Sequence, residues 1–324
     1  MSVHKVIEAI RRHKSFLITG HIDPEADTIG SQLALGSLLK RLDKDVRIIN
    51  QDLPPESCAF LPYVKSIELV KNIKKSDFKA PDCAMVIDCP TIERAGKTAE
   101  IITDGIEVIN IDHHVSNQQF GHINWVDLKA AAVGEMIFDI FSRLKMKPTN
   151  EEATAIYSAV LIDTGSFRYS NTTAKTHMTA AKLIARGLDT NGIYESLFEM
   201  RSFCATRLLG LALSTLKKNG NGAVVWIWIT RRMLKRAGAN FDEAENFINY
   251  ARAIKGCKVA ILFKEAADKG VFKVSFRSKK PVDVNKIAAE FGGGGHSRAA
   301  GCTITAAGAA AAEKKILSEV FKAV

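Results

Sequence analysis

Short branched apolar runs alternate with stretches of helical period through the first half of the chain. Residues 16–20, 46–50, 84–87 and 108–111 each hold consecutive apolar side chains and then give way to polar ones, as strands buried on both faces do. Between the first two, residues 29–42 place Ile29, Leu33, Leu38, Leu39 and Leu42 on one helical face. Further helices are expected over 131–144, over 151–161 with Asn150 as N-cap, and over 173–186. The alternation predicts an α/β fold with a mostly parallel sheet and flanking helices. Sheets of that kind bind ligands beyond the carboxyl ends of their strands.

The pattern changes after residue 186. We expect residues 1–190 to form one domain, 191–216 a helical connector, and 217–324 a smaller α/β domain. In the latter, strands at 223–229, 258–263, 271–276 and 302–305 accompany helices at 243–254 and 284–291, a glycine run and a terminal Ala-rich helix. A chain of 324 residues with 47% apolar and 25% charged side chains can bury two cores and is no disordered tail. Six scattered cysteines without a Cys-x-x-Cys pair argue against a zinc ribbon and for reduced thiols in a cytoplasmic protein. The densest apolar stretch, 223–229, is too short to span a bilayer.

Charge is distributed unevenly. Residues 1–190 carry 23 Lys+Arg against 24 Asp+Glu, whereas 191–324 carry 22 against 11, so all the excess positive charge lies in the second part. A polyanionic partner, nucleic acid or a phosphorylated metabolite, is one reading, and a basic face kept for solubility is the other.

Four separated segments bring carboxylate or imidazole to the end of an apolar element. They are His21-Ile-Asp23-Pro24-Glu25-Ala-Asp27, with Asp27 a candidate helix cap, then Asp88, then Asp112-His113-His114, and Asp163 in Leu161-Ile-Asp163-Thr-Gly165. Oxygen donors with a minority of imidazoles suit Mn²⁺ or Mg²⁺ better than a thiolate-seeking metal. The donors suffice for two ions, which in phosphatases and nucleases sit roughly 3.5–4 Å apart and assist in-line displacement at phosphorus.

These motifs, in this order, resemble those of the DHH phosphoesterase superfamily, whose name matches Asp112-His113-His114. Phe291 followed by Gly292-Gly293-Gly294-Gly295-His296-Ser297-Arg298 resembles the signature of the DHHA1 domain, associated with nucleic-acid or nucleotide binding. Within the superfamily the chain is similar to the short bacterial group that degrades nanoRNA and 3′-phosphoadenosine 5′-phosphate (pAp). The resemblance implies that His21, Glu25 and Asp88 hold a first Mn²⁺. Asp27, Asp88, His113 and Asp163 would hold a second, with Asp88 bridging and Mg²⁺ as the alternative metal. It further implies that Asp112 orients His113, that His114 faces the substrate phosphate as hydrogen-bond donor or acid, and that no serine or cysteine nucleophile is needed. An active-site cleft between the domains would limit substrate length. Glu25 departs from the family pattern, which has Asp there, and points to an altered first-metal site.

The glycine run lets backbone N–H groups approach a phosphate or base closely, so Gly293, Gly294, Gly295, His296 and Arg298 are candidate substrate contacts. Arg277 and Ser278 at a strand end are candidates for a terminal phosphate. Arg168 either contacts the scissile phosphate or pairs with a metal-site carboxylate. Trp125, Trp226 and Trp228 read as core, His4, His13 and His177 as surface, His122 as a weak site neighbour and Cys89 as packing. Lys279, Lys280, Arg231 and Arg232 read as a solvated face. The expected activity is hydrolysis of short single-stranded oligonucleotides, RNA or DNA, to mononucleotides and dephosphorylation of pAp, with a homodimer as a candidate assembly. Cleavage of cyclic or linear dinucleotides, or nucleotide binding without catalysis, are the alternatives.

Overall fold

The computed structural model describes residues 3–73, 78–103, 105–244, 246–279 and 281–324. The chain divides into two compact units, Met1–Met200 and Arg201–Val324. The stretch expected as a connector is shared between them: its first helix lies in the first unit and its second helix in the second.

In the first unit, helix α1 (Val3–Arg12) leads into β1 (Ser15–Thr19), α2 (Ala26–Arg41), β2 (Asp45–Asn50), β3 (Ile67–Leu69), β4 (Cys83–Ile87), β5 (Glu107–Asp112) and β6 (Ile123–Val126). The strands form one all-parallel sheet in the order β3-β2-β1-β4-β5-β6. The order reverses between β1 and β4. The crevice beyond the carboxyl ends of those two strands is therefore a topological switch point, where such sheets bind ligands. Every residue of β4 is buried, as a strand covered on both faces requires. The short strands β3 and β6 extend the sheet beyond the four runs expected from sequence.

Helices α3 (Val133–Arg143), α4 (Asn150–Asp163), α5 (Ala174–Ile184) and α6 (Thr190–Phe198) complete the unit. Thr149, not Asn150, caps α4: its hydroxyl accepts the backbone N–H of Glu152, whose carboxylate accepts the N–H of Thr149. Helices α2 and α4 approach so closely that a Cβ on Gly30 would stand 2.3 Å from the Ala155 carbonyl oxygen. That contact fixes the N-terminal part of α2 against the middle of α4.

In the second unit, α7 (Phe203–Leu213) precedes β7 (Lys217–Lys218), β8 (Val224–Ile229), α8 (Arg231–Ala237), α9 (Ile248–Arg252), β9 (Val259–Glu265), β10 (Val271–Ser278), α10 (Val284–Ala289), β11 (Gly294–His296), β12 (Ala299–Thr305) and α11 (Ala309–Ala323). The sheet order is β11-β12-β10-β9-β8-β7, parallel only between β8 and β9. One face, with Trp226, Trp228, Phe263 and Phe276, packs on α10 and α11. The other, with Val225, Ile227, Ala260 and Leu262, packs on α7, α8 and α9. All three tryptophans are buried. The glycine run is less of a loop than expected, since β11 pairs antiparallel with β12 through Gly294↔Gly301 and His296↔Ala299.

Candidate metal and phosphoester site

The loop after β1 supplies His21, the first turn of α2 supplies Asp27, and the end of β4 supplies Asp88. The end of β5 supplies Asp112, His113 and His114, and the last residue of α4 is Asp163. Asp88 turns the chain off β4 with a left-handed backbone (φ 56°), anchored by its N–H to the Ile111 carbonyl at 2.9 Å. Its Oδ2 accepts the Thr28 hydroxyl at 2.5 Å and lies 3.5 Å from His21 Nε2, while its Oδ1 lies 3.8 Å from His113 Nε2.

Asp27 does not cap its own helix; Glu25 occupies the N-cap of α2, without a side-chain cap bond. Asp27 instead accepts the backbone N–H groups of Val133 (2.8 Å) and Gly134 (2.9 Å), capping α3, and accepts Ser31 Oγ at 3.1 Å. The structure thereby uses one carboxylate to join the N-termini of two helices.

His113 Nε2 is the hub of the cluster, 3.3 Å from Asp163 Oδ2 and 4.0 Å from Asp27 Oδ2. Its Nδ1–H donates to the Ala130 carbonyl at 3.2 Å, which leaves Nε2 as the lone-pair atom facing the carboxylates. This corrects the expectation for Asp112. Its Oδ1 lies 2.7 Å from Nδ1 of His114, so the side chain it orients is His114, and His113 is oriented by a main-chain carbonyl.

Donor atoms of Asp88, His113 and His114 lie within 4.8 Å of one another, as do those of Asp27, His113 and Asp163. His21 joins through Asp88. Glu25 is exposed and stands outside both triplets, although its charge contributes to the upward shift of Asp163.

Two buried carboxylates, Asp27 and Asp88, and the half-buried Asp163 repel at such short range. Burial, then Asp88 and Asp163, push Asp27 well above the usual carboxylate range, against its two backbone hydrogen bonds. Burial raises Asp163 to about 6, with neighbouring His113 opposing and the charges of Asp88 and Glu25 reinforcing. For His21, burial lowers the pKa but the hydrogen bond and charge of Asp88 outweigh it, and the net shift is upward. A divalent cation fits this donor set: it would neutralise the repulsion that the fold holds in place, and its ligands would be oxygen with imidazole nitrogen. His114 is raised to about 9, first by its hydrogen bond to Asp112 and against its own burial.

Other expected residues separate into two groups. Arg168 is exposed; its Nε donates to the Gly165 carbonyl at 2.8 Å and its guanidinium lies 5.8 Å from the Tyr169 ring. Among the described residues no ion pair joins it to a metal-site carboxylate, which removes the second of its two readings. Arg277, Ala299 and His296 share one row and one face of the second sheet. Ser278 points to the opposite face, buried, with its hydroxyl donated to the Val282 carbonyl at 2.7 Å, and so leaves the substrate-binding set. Arg298 spends Nη1 on that same carbonyl at 2.5 Å, and is part of the loop's own scaffold.

His122 accepts the Val108 N–H and takes no part in the site. Cys89 donates to the Thr91 carbonyl, and burial pushes its thiol up to about 12, as expected of a packing residue. Lys279, Arg231 and Arg232 are exposed; Lys280 lies outside the described residues. Thr28 and the Ala130 carbonyl join the site without a signal in the sequence pattern, and Asn117 with only the faint one of a polar residue after the histidine pair. Among the described residues no helix is long and apolar enough to cross a membrane.

Comparison with known proteins bears on the family of the chain. Residues 15–160 match the N-terminal domain of the DHH family and residues 219–323 match the DHHA1 domain. The bifunctional oligoribonuclease and PAP phosphatase NrnA of Thermus thermophilus is 33% identical over 94% of this chain and 88% of its own. The protein of the same name from Bacillus subtilis is 28% identical over 93% and 92%. An exopolyphosphatase-related protein from Bacteroides fragilis superposes with a TM-score of 0.87 at 25% identity, covering 99% of this chain and 94% of that one. Whole-length similarity of that order, with a match to each of the two domains, leaves one assignment: the chain is a member of the DHH family, with a DHH domain followed by a DHHA1 domain.

Proposed function

We propose that this protein is a metal-dependent phosphoester hydrolase that releases mononucleotides from oligonucleotides of roughly two to five residues and removes a phosphate from pAp. The observation that carries the reading is the convergence of Asp27, Asp88, His113 and Asp163 beside an Asp112–His114 pair. The two relatives named for oligoribonuclease and PAP phosphatase activity support the substrate class.

Asp27, Asp88, His113 and Asp163, with His21, would hold divalent cations, Mn²⁺ in this reading. When bound, such cations polarise a phosphoryl oxygen and make water a better nucleophile at neutral pH. The chain's own residues do the rest. Asp112 holds the His114 Nδ1–H and keeps the ring charged at neutral pH, so Nε2–H is available to donate to the phosphate and then to the departing oxygen. Ala130 and Thr28 fix the rotamers of His113 and Asp88, which keeps their donor atoms facing the same point. Arg168 offers its remaining guanidinium donors to the scissile phosphate. On the second unit, Arg277, His296 and the glycine backbone bind the nucleotide.

The test is turnover of a 5′-phosphorylated dinucleotide, pAp and a cyclic dinucleotide by purified protein with Mn²⁺. Hydrolysis of the first two, with slower turnover of the third, is expected. Failure on both the dinucleotide and pAp rejects the reading.

A further inference from the structure

Asp112 is fully buried, and only one of its oxygens serves His114. The other, Oδ2, accepts Nδ2 of Asn117 at 2.6 Å. The second hydrogen of that Asn117 amide goes to Asn110 Oδ1 at 2.8 Å, and Asn117 Oδ1 in turn accepts the backbone N–H of Gln119 at 2.7 Å. These partners settle the orientation of the amide, since two acceptors face its nitrogen and a donor faces its oxygen. Asn110, also fully buried, donates its own Nδ2 to the carbonyls of Val86 (3.2 Å) and Cys89 (3.0 Å), which bracket Asp88. One continuous run of hydrogen bonds thus leads from the turn that carries Asp88, through Asn110 and Asn117, to Asp112 and His114.

We infer that Asn117 is a positioning residue for proton donation: it locks the Asp112 carboxylate so that His114 Nδ1–H is held and Nε2–H is aimed at the leaving oxygen. The inference rests on the reading of His114 as the donor. In that step a water oxygen, giving up a proton to solvent, bonds to phosphorus as the P–O bond to the leaving group breaks, and the departing oxygen takes the proton from Nε2. The ring is left neutral, with its Nδ1–H still donated to Asp112. Only a neutral amide satisfies both sides of the position. A carboxylate there would set one oxygen, in the place of Nδ2, against both Asp112 Oδ2 and Asn110 Oδ1. An apolar side chain would leave Oδ2 buried and without its partner, free to rotate away from the geometry that His114 needs.

The experiment exploits the leaving group. Ribose alkoxide needs a proton as it departs, whereas 4-nitrophenolate does not. Wild type, Asn117→Ala, the near-isosteric Asn117→Asp and His114→Ala are assayed with Mn²⁺ on a dinucleotide and on a nucleoside 5′-(4-nitrophenyl) phosphate. Bound Mn²⁺ and melting temperature are measured in parallel. For Asn117→Ala we expect kcat on the dinucleotide to fall roughly 10–100-fold, the usual cost of removing a partner that orients a site residue. KM should stay within about threefold, as should kcat on the nitrophenyl ester. Asn117→Asp should lose at least as much on the dinucleotide with the same selectivity. Equal losses on both substrates in either folded variant, or no loss at all, overturn the inference. Should His114→Ala show the leaving-group selectivity and the Asn117 variants lack it, the donor reading stands and only the role of Asn117 falls. Should His114→Ala lack it, the donor reading itself fails.

Discussion

The Oδ2 of Asp163, at the C-terminal end of α4, stands 3.3 Å from Nε2 of His113, at the end of β5, in a pocket shared with two further carboxylates. The burial and repulsion that raise Asp163 are costs to the fold, accepted for the sake of the site. Asp163→Asn keeps the shape and removes the charge. With metal stripped by chelator at pH 8, the variant should be more stable than wild type by on the order of 1–3 kcal/mol, read as a rise in melting temperature. Its turnover of dinucleotide should fall at least 100-fold. A less stable variant would mean that the acidic cluster is not strained.

The same shifts set a pH dependence. Asp27 and Asp163 hold their protons more tightly in the folded chain than unfolded. The stability this confers is complete below the ordinary carboxylate range, near pH 4, and is lost as pH rises through about 6, the value for Asp163. In chelator, the advantage of Asp163→Asn over wild type should therefore grow between pH 5 and pH 8. Added Mn²⁺ should raise the melting temperature of wild type more at pH 8 than at pH 5.5. Thermal melts across that range, with and without metal, check both; a constant difference between the two proteins would contradict an electrostatic cause.

Adjacent glycines in the second unit should behave differently. A Cβ on Gly293 would stand 2.2 Å from the Gly301 carbonyl oxygen, so Gly293→Ala should lower stability by displacing β11 from β12. A Cβ on Gly294 meets nothing closer than Asn285 Oδ1 at 3.9 Å, on the face that also carries Arg277 and His296. Gly294→Ala should leave the melting temperature within about 1 °C. KM for a dinucleotide should rise several-fold, because the backbone can no longer approach the ligand. A KM equal to that of wild type would remove the glycine run from the binding surface.

Glu25 sits at the N-cap of α2 without making a cap bond, a position where Asp is among the preferred residues. Glu25→Asp should stabilise the protein by about 0.5–1 kcal/mol. Turnover should stay within about tenfold of wild type, because Asp27, His113 and Asp163 form a donor triplet without this residue, with Asp88 and His21 beside it. Loss of bound Mn²⁺ in Glu25→Asp would show that the longer side chain is itself a required ligand.

The parallel sheet and the candidate ligand segments after β1, β4 and β5 were legible because buried parallel strands are apolar runs with a conspicuous polar residue at the end; Asp163 stood out in the same way at the end of the apolar helix α4. What surrounds the ligands was not legible. The Ala130 carbonyl that fixes His113, the Thr28 hydroxyl on Asp88 and the α3 amides on Asp27 are contacts made by folding, and no local pattern announces them. Asn117 left a faint trace, a polar residue shortly after the histidine pair, indistinguishable from a turn former. The placement of Ser278 was legible in principle. Neighbours on a strand face opposite sides, so Ser278 and Arg277 could not both have lined one surface. Strand β11 was masked by its composition, since glycine is depleted in strands and pairs in this sheet only because β12 lies alongside.

The most direct test of a metal centre gathered from four segments is calorimetric titration of Mn²⁺ into metal-stripped protein at pH 7.5, comparing wild type with Asp88→Ala. Asp88 lies between both histidines of the triplet and His21, so saturable binding by the wild type and its loss in the folded variant are the predicted result. A wild type that takes up no manganese, or an Asp88→Ala protein that binds it as tightly, would contradict the account.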